Sequence, residues 1–291
     1  MKKVLLATTA LALSAGVASA EVALSGSARM GLTYDSVSGD AVLNNRMTVN
    51  IDASTETTSG LTFGARLRVR SSNGAMATVN GTRVYVKSGA VEVAVGNIYG
   101  AIDSMPGMYN SEVGLTALSD AGVVTAPVVN GWGFDGYAST GAANGVEVIY
   151  SAGAFTGHLS VTDSDIGSGL VNRTAAYGAY TMGDWTVALG VQDSAVNTED
   201  KTILTVGGKV GDYGVGFAAA DNDGVTKIAL NGSATFGATT VNGFVADDES
   251  GTDTALGLGV SYDLGGAALV GGIEHDAVGV NRADMGVSFS F

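Results

Sequence analysis

The chain has 291 residues, a formal net charge of -14 and no cysteine. That acidity argues against a nucleic-acid partner and against a polybasic membrane-surface binder, since both need a basic patch, and the missing thiols exclude disulfides and thiolate chemistry. Only 14% of residues are charged while the mean hydropathy is +0.28, a pairing that apolar positions alternating along the whole chain would produce.

Residues 1–20 read as a secretory signal peptide: Lys2 and Lys3, an apolar run from Val4 to Leu13, and a small-residue exit at Ala18-Ser19-Ala20. The remainder, 21–291, carries no linker signature and is expected to form a single all-β domain. Beyond the signal peptide no run of 18 apolar residues occurs, which excludes transmembrane helices on length.

Period-2 alternation begins at once, with Val22, Leu24, Gly26, Ala28, Met30, Leu32 and Tyr34 on one face and Ser25, Ser27, Arg29 and Thr33 on the other. Arg46 to Ser54 repeats the pattern, placing Arg46, Thr48, Asn50 and Asp52 opposite Met47, Val49, Ile51 and Ala53. Leu61 to Arg70 is the sharpest case. Leu61, Phe63, Ala65, Leu67 and Val69 share one face, while Arg66, Arg68 and Arg70 stand in a row on the other.

Seven short Gly-containing turns separate alternating runs: Thr58-Ser59-Gly60, Ser88-Gly89-Ala90, Ser151 to Ala154, Met182-Gly183-Asp184, Gly211-Asp212, Phe236-Gly237-Ala238 and Asp263 to Gly266. Longer polar connections are expected near residues 35–44, 71–80, 97–143, 163–172, 193–201, 221–225, 246–253 and 275–281. Fifteen connections predict sixteen antiparallel strands, with tight turns at one end and long loops at the other, as in a transmembrane β-barrel of the bacterial outer membrane. Phe63, Tyr150, Phe155, Tyr180, Trp185, Tyr213, Phe236 and Tyr262 all lie near tight turns on the apolar parity, where a membrane interface favours aromatic rings. The chain ends in an alternating run closed by Phe289 and Phe291, similar to the closing strand of outer-membrane barrels.

The charges are segregated along the chain. Residues 21–87 hold seven bases, Arg29, Arg46, Arg66, Arg68, Arg70, Arg83 and Lys87, whereas 88–172 hold none and eight acids. All seven bases fall on the polar parity and are expected to form one basic wall. It must face water, because an Arg at the bilayer midplane costs roughly 2–4 kcal/mol. The longest connection, 97–143, contains Ile98, Tyr99, Ile102, Met105, Met108, Leu115 and Trp132. It is too apolar for a solvated tail and is expected to fold inward and narrow the lumen, presenting Asp103, Glu112, Asp120 and Asp135 to the basic wall.

The matches Glu21-Val-x-Leu-Ser-Gly-x-Ala-Arg-Met-Gly31, Ser59-Gly-Leu-x-Phe-Gly-Ala65, Tyr150-Ser-Ala-Gly-Ala-Phe155, Phe236-Gly-Ala-Thr-Thr-Val241 and Ser261-Tyr-Asp-Leu-Gly-Gly266 resemble the trimeric general porins of alphaproteobacteria. The resemblance implies a sixteen-stranded homotrimer in the outer membrane, among lipid and lipopolysaccharide. It also implies an inward third loop and passive diffusion of ions and small hydrophilic solutes. Carried onto this chain, Arg29, Arg46, Arg66, Arg68 and Arg70 would be the basic wall and Glu112 the leading loop acid. The constriction loop here is poorer in acids than that of similar porins.

No catalytic motif stands against this reading. There is neither Gly-x-Ser-x-Gly nor Gly-x-Gly-x-x-Gly opening a helix, and of the two histidines His158 is expected to line the lumen and Glu274-His275-Asp276 to be a solvated group. An enzyme and a cofactor are therefore not expected. Asp221-Asn-Asp-Gly224 and Asp247-Asp248-Glu249 are acidic outer segments; solvation is the simpler reading, and Ca2+ held there against lipopolysaccharide the alternative. The rivals to a channel are an adhesin or structural anchor whose lumen is plugged, and a secreted calcium-dependent β-protein, which lacks the nonapeptide repeat it would need.

Overall fold

The computed structural model describes residues 20–110, 112–118, 133–137, 144–165 and 171–291; the expected signal peptide lies outside them apart from Ala20. The strands are β1 (Glu21–Asp35), β2 (Ala41–Glu56), β3 (Thr62–Ser72), β4 (Thr78–Val79), β5 (Arg83–Ser88), β6 (Val91–Asn97), β7 (Asn144–Ala152), β8 (Phe155–Thr162), β9 (Arg173–Met182), β10 (Trp185–Ser194), β11 (Lys201–Val210), β12 (Tyr213–Asn222), β13 (Val225–Phe236), β14 (Thr239–Asp248), β15 (Ala255–Asp263), β16 (Ala267–His275) and β17 (Asn281–Ser290). All neighbours pair antiparallel, and β1 pairs with both β2 and β17, so the sheet closes.

Sixteen staves make the barrel, because β4 and β5 are two parts of one. Both pair with β3, and between them Asn80 bridges the gap: its amide N donates to Arg68 O at 3.0 Å, and its Oδ1 accepts from Arg68 N at 2.7 Å. At the seam, Gly26 and Phe291 exchange backbone hydrogen bonds of 2.7 and 3.0 Å. The terminal aromatic is thus part of the closure.

All seven expected tight turns are present. Each holds a glycine at positive φ, among them Gly60 (82°), Gly89 (55°), Gly183 (58°) and Gly237 (63°), where a side chain would be strained. The opposite end differs from expectation at 221–225. There β12 and β13 run on to a two-residue turn, Asp223-Gly224, with both residues at positive φ, the geometry of a hairpin that matches strand twist. Strands also extend past the apolar alternation; β2 starts at Ala41 rather than Arg46 because its polar residues still pair with β1 up to Tyr34↔Ala41.

The outer face is apolar over its central band, and the eight turn-proximal aromatics, Phe63 to Tyr262, are all exposed on it. The buried core lies inside the barrel instead. Ala175, Ala179, Ala188, Ile203, Ala218, Ala220, Ala229, Phe244, Ala246 and Ala255 on the inner wall pack with Ile102, Met105, Met108, Val113 and Leu118 of the long connection.

Gly237 sits at φ 63° with open space around its Cβ position, so Gly237→Val isolates the backbone term. It is expected to lower stability by about 1–2 kcal/mol, read as a lower temperature for the heat-induced mobility shift on denaturing gels, with assembly retained.

Candidate functional site

The long connection leaves β6 at a buried charged root. Glu147 of β7 is 1% exposed, and its Oε1 accepts from Arg83 Nε at 2.6 Å while its Oε2 accepts from Tyr99 N at 3.0 Å and Gly100 N at 3.2 Å. His158 Nε2 lies 2.9 Å from the same oxygen, and Arg83 Nη2 donates to Glu92 at 2.6 Å. Next, Ala101 N donates to Ser160 Oγ at 2.9 Å. Arg83 also stacks over the Tyr99 ring at 4.0 Å.

From this root the chain runs around the inside wall. Thr205 Oγ1 of β11 donates to Pro106 O at 2.6 Å, Asn242 Nδ2 of β14 to Glu112 O at 2.7 Å, and Leu115 N and Thr116 N donate to the two Asp284 oxygens of β17 at 2.8 and 2.6 Å. Small wall residues make room for it. Leu115 rests against Gly31 and Gly286, where an added Cβ would come within 2.5 and 2.7 Å of its side chain. The returning segment 133–137 crosses to the other side, where Arg173 of β9 pairs with Asp135 at 3.0 Å and with Glu199 at 2.8 Å.

The loop covers β7 to β17 and leaves an arc of β1–β3 facing it. On that arc Arg29 and Arg46 are directly opposed in register, and Thr48, Asn50 and Asp52 oppose Arg70, Arg68 and Arg66. Arg66 is neutralised by a two-pronged pair with Asp52 (2.6 and 3.0 Å) and donates to Tyr99 Oη at 2.9 Å. Three others meet neutral acceptors. Arg68 donates to Asn50 Oδ1 (3.3 Å) and Tyr137 O (3.0 Å) and lies 4.6 Å over the Tyr137 ring. Arg70 donates to Thr48 Oγ1 (3.1 Å), and Arg29 to Asn44 Oδ1 (3.1 Å) and Leu115 O (3.2 Å).

Five of the seven expected wall bases are therefore brought together. Arg83 is 1% exposed and held between two glutamates, and Lys87 stands at the tight-turn rim in register with Thr62 and Glu92. Of the loop acids, Glu112 is exposed to the lumen, Asp103 accepts a hydrogen bond from Tyr109 Oη, and Asp135 faces Arg173 rather than the basic arc. Asp120 lies outside the described residues. Two expectations need correction. His158 is buried beneath the loop root instead of lining water, and Asp276 of the Glu274-His275-Asp276 group is buried, accepting from Val278 N and Val280 N at 2.9 and 2.8 Å. Tyr99 and Tyr137, which contact the arginines, carry no periodic signal because they lie in irregular chain. Among the described residues no cluster of three or more His, Cys, Asp or Glu is placed to hold a metal ion.

A closed barrel with an apolar exterior and a charged, loop-narrowed lumen defines a membrane channel protein. The Gram-negative porin family model matches residues 7–277, and the chain belongs to that family. It is 32% identical to a porin of Fuscovulum blasticum and 34% identical to one of Rhodobacter capsulatus, each over 93% of this chain and 100% of the relative. A substituted form of Rhodopseudomonas blastica porin superposes with a TM-score of 0.82 at 29% identity, again over 93% of this chain and 100% of that one. A structure described as an engineered protein of asymmetric conductivity gives 0.83 and 30% over the same shares. The chain is an outer-membrane porin.

Removing the negative charge at the loop root leaves the buried Arg83 with Glu92 as its remaining acid, a change bounded by the roughly 3–5 kcal/mol of a fully broken buried pair. Glu147→Gln is expected to raise current noise and expose the 98–118 segment to protease, whereas Glu56→Gln, on an exposed residue, leaves both unchanged. On the loop, burial raises the Asp103 carboxyl, opposed by the Tyr109 hydroxyl and by Arg68. Its proton therefore returns at a higher pH than for an ordinary aspartate. Burial likewise raises the Glu112 carboxyl, opposed by Arg46, so lowering the pH should shift the zero-current potential toward anions before ordinary carboxylates titrate. Asp103→Asn should reduce that early step, and Asp103→Asn with Glu112→Gln should remove it.

Proposed function

We propose that the lumen between the inward loop and the β1–β3 arc is the path for passive diffusion of ions and small hydrophilic solutes. Arg29, Arg46, Arg66, Arg68 and Arg70 form one side of the narrow zone, and Glu112, with Asp103, the other. The observation that carries this is the juxtaposition itself: among the described residues the apolar part of the loop is seated on a wall of small residues, and the arc that bears the arginines faces it. In a pore roughly a Debye length wide, about 8 Å at physiological salt, fields from both sides are only partly screened. Arg83 and Lys87 do not enter the narrow zone in this reading. Arg83 instead fixes the loop root, and Lys87 belongs to the tight-turn rim.

The resemblance to trimeric general porins supports a homotrimer embedded in outer-membrane lipid and lipopolysaccharide, with residues 1–20 removed on export. No catalytic step is assigned. The Glu147–His158 pair is shut off beneath the loop; the Asp221 turn is read as solvated hairpin chemistry, with Gly224 N donating to Asp221 Oδ1 at 2.9 Å, whereas Asp248 departs from the expected solvation, being buried 3.6 Å from Lys227.

Purified protein in planar lipid bilayers should give stepwise conductance in groups of three, and cross-linking should stop at three copies. Silence from correctly folded, heat-modifiable protein would overturn the channel path in favour of a plugged barrel, and single steps with a monomeric mass would overturn the trimer alone.

A further inference from the structure

We infer that the β1–β3 arginine arc is a contact site for oxyanions, so that small carboxylates and phosphates are the solutes this channel handles preferentially. The inference deepens the diffusion path proposed above and rests on it.

The argument starts from a count of partners. Each guanidinium carries five N–H donors in a fixed fork and stays charged at any working pH. Arg66 is satisfied by Asp52. Among the described residues Arg29, Arg46, Arg68 and Arg70 make no ion pair. Arg70 uses one donor on Thr48, and the Arg46 guanidinium makes no hydrogen bond among the described residues. The segments outside the described residues contain a single acid, Asp120. At most one of the four can therefore find a carboxylate there.

The acids that face the arc are accounted for in the same way. Asp284 is 5% exposed, and its oxygens accept from Leu115 N, Thr116 N and Thr116 Oγ1. Asp103 is half-buried and holds the Tyr109 hydroxyl. Among the described loop acids Glu112 is the one exposed to the lumen, and on the arc itself Asp52 is 34% exposed but held by Arg66. A passing cation thus meets Glu112 and an Asp52 already engaged by Arg66, whereas a passing anion meets four guanidiniums that make no ion pair among the described residues.

Their spacing suits an oxyanion. Arg29 and Arg46 are directly opposed, and Arg70 lies one diagonal step away, beside Thr48, a separation of roughly 7–8 Å between backbones that long side chains close. A planar fork donates two parallel hydrogen bonds to a carboxylate or phosphate, which chloride cannot accept in the same way. Phosphate should therefore compete with chloride for the arc.

The test uses the full-length oligomer in a planar bilayer. In a KCl gradient the zero-current potential is expected to have the sign of anion selectivity, and added inorganic phosphate to reduce the chloride current saturably. Arg46→Gln with Arg70→Gln should shift the potential toward cations and weaken the phosphate effect about tenfold, the loss of one charge-assisted contact. Retained stepwise conductance shows that the variant folds; if it does not insert, the wild-type phosphate titration decides alone. A cation-selective wild type, a chloride current indifferent to phosphate, or a double variant with unchanged potential would overturn the oxyanion site. Any of these with conductance intact leaves the diffusion path standing, and absence of conductance is the failure of that path instead.

Discussion

The constraint on which everything else depends is that a backbone in hydrocarbon must satisfy every N–H and C=O from within the protein. A sheet can do so only by losing both edges, so β1 has to find β17, and it does so over nine register pairs from Ser27↔Ser290 to Asp35↔Arg282. The seam is finished by Gly26 and the final residue, Phe291. Closure then dictates the sequence pattern. With side chains alternating between lipid and lumen, apolar residues occupy one parity in every strand and the opposite parity is released for other chemistry.

What fills that released parity divides the lumen in two. Over β9–β15 it includes a patch of alanines with Ile203, Phe244 and Tyr177 among them, and these residues are buried because a chain of Ile102, Met105, Met108, Val113 and Leu118 lies on them. The hydrophobic core of this protein is the seam between loop and wall, inside the barrel. Small residues are needed where backbone approaches backbone; a Cβ on Gly190 would stand 2.6 Å from Met105 Sδ. Over β1–β3 the same parity carries Asn, Thr, Asp and Arg, which no apolar loop could cover without stranding charges in a dry contact. Packing of the loop and exposure of the arginines are two outcomes of one distribution.

Most of the frame was legible in the sequence, because closure leaves a period-2 signal and hairpins leave glycines. The turn glycines, the aromatic level and the inward parity of Arg66, Arg68 and Arg70 are all local consequences of strand geometry. Less legible was anything set by contact across the lumen. The two-sided apolarity of segments such as Ala175-Ala176-Tyr177-Gly178-Ala179 was the available sign that an inner face is covered, and with it the burial of His158 could have been anticipated. The outer boundary of β2 was misplaced because hydrogen bonding continues where apolar alternation stops. Asp223-Gly224 falls inside the longer connection expected at 221–225, although an Asp-Gly pair is itself a hairpin signal.

The arginines show where parity stops being enough. Arg66, Arg70 and Arg83 carry the same charge on the same face, and Arg66 and Arg83 are even register partners. Their environments are decided by which residues lie one strand away. Arg83 has Glu92 and Glu147 within reach and is sealed under Tyr99, so its charge is neutralised in a dry site where losing a partner would be severe. Arg66 has Asp52 directly opposite and remains at the water boundary. Arg70 faces Thr48, an acceptor without charge, and its positive field is left for whatever enters the lumen. Whether a cation anchors the loop or meets the solute is therefore set by the cross-strand acid, and a reading that pairs each inward base with its register neighbours separates the two where a count of bases cannot.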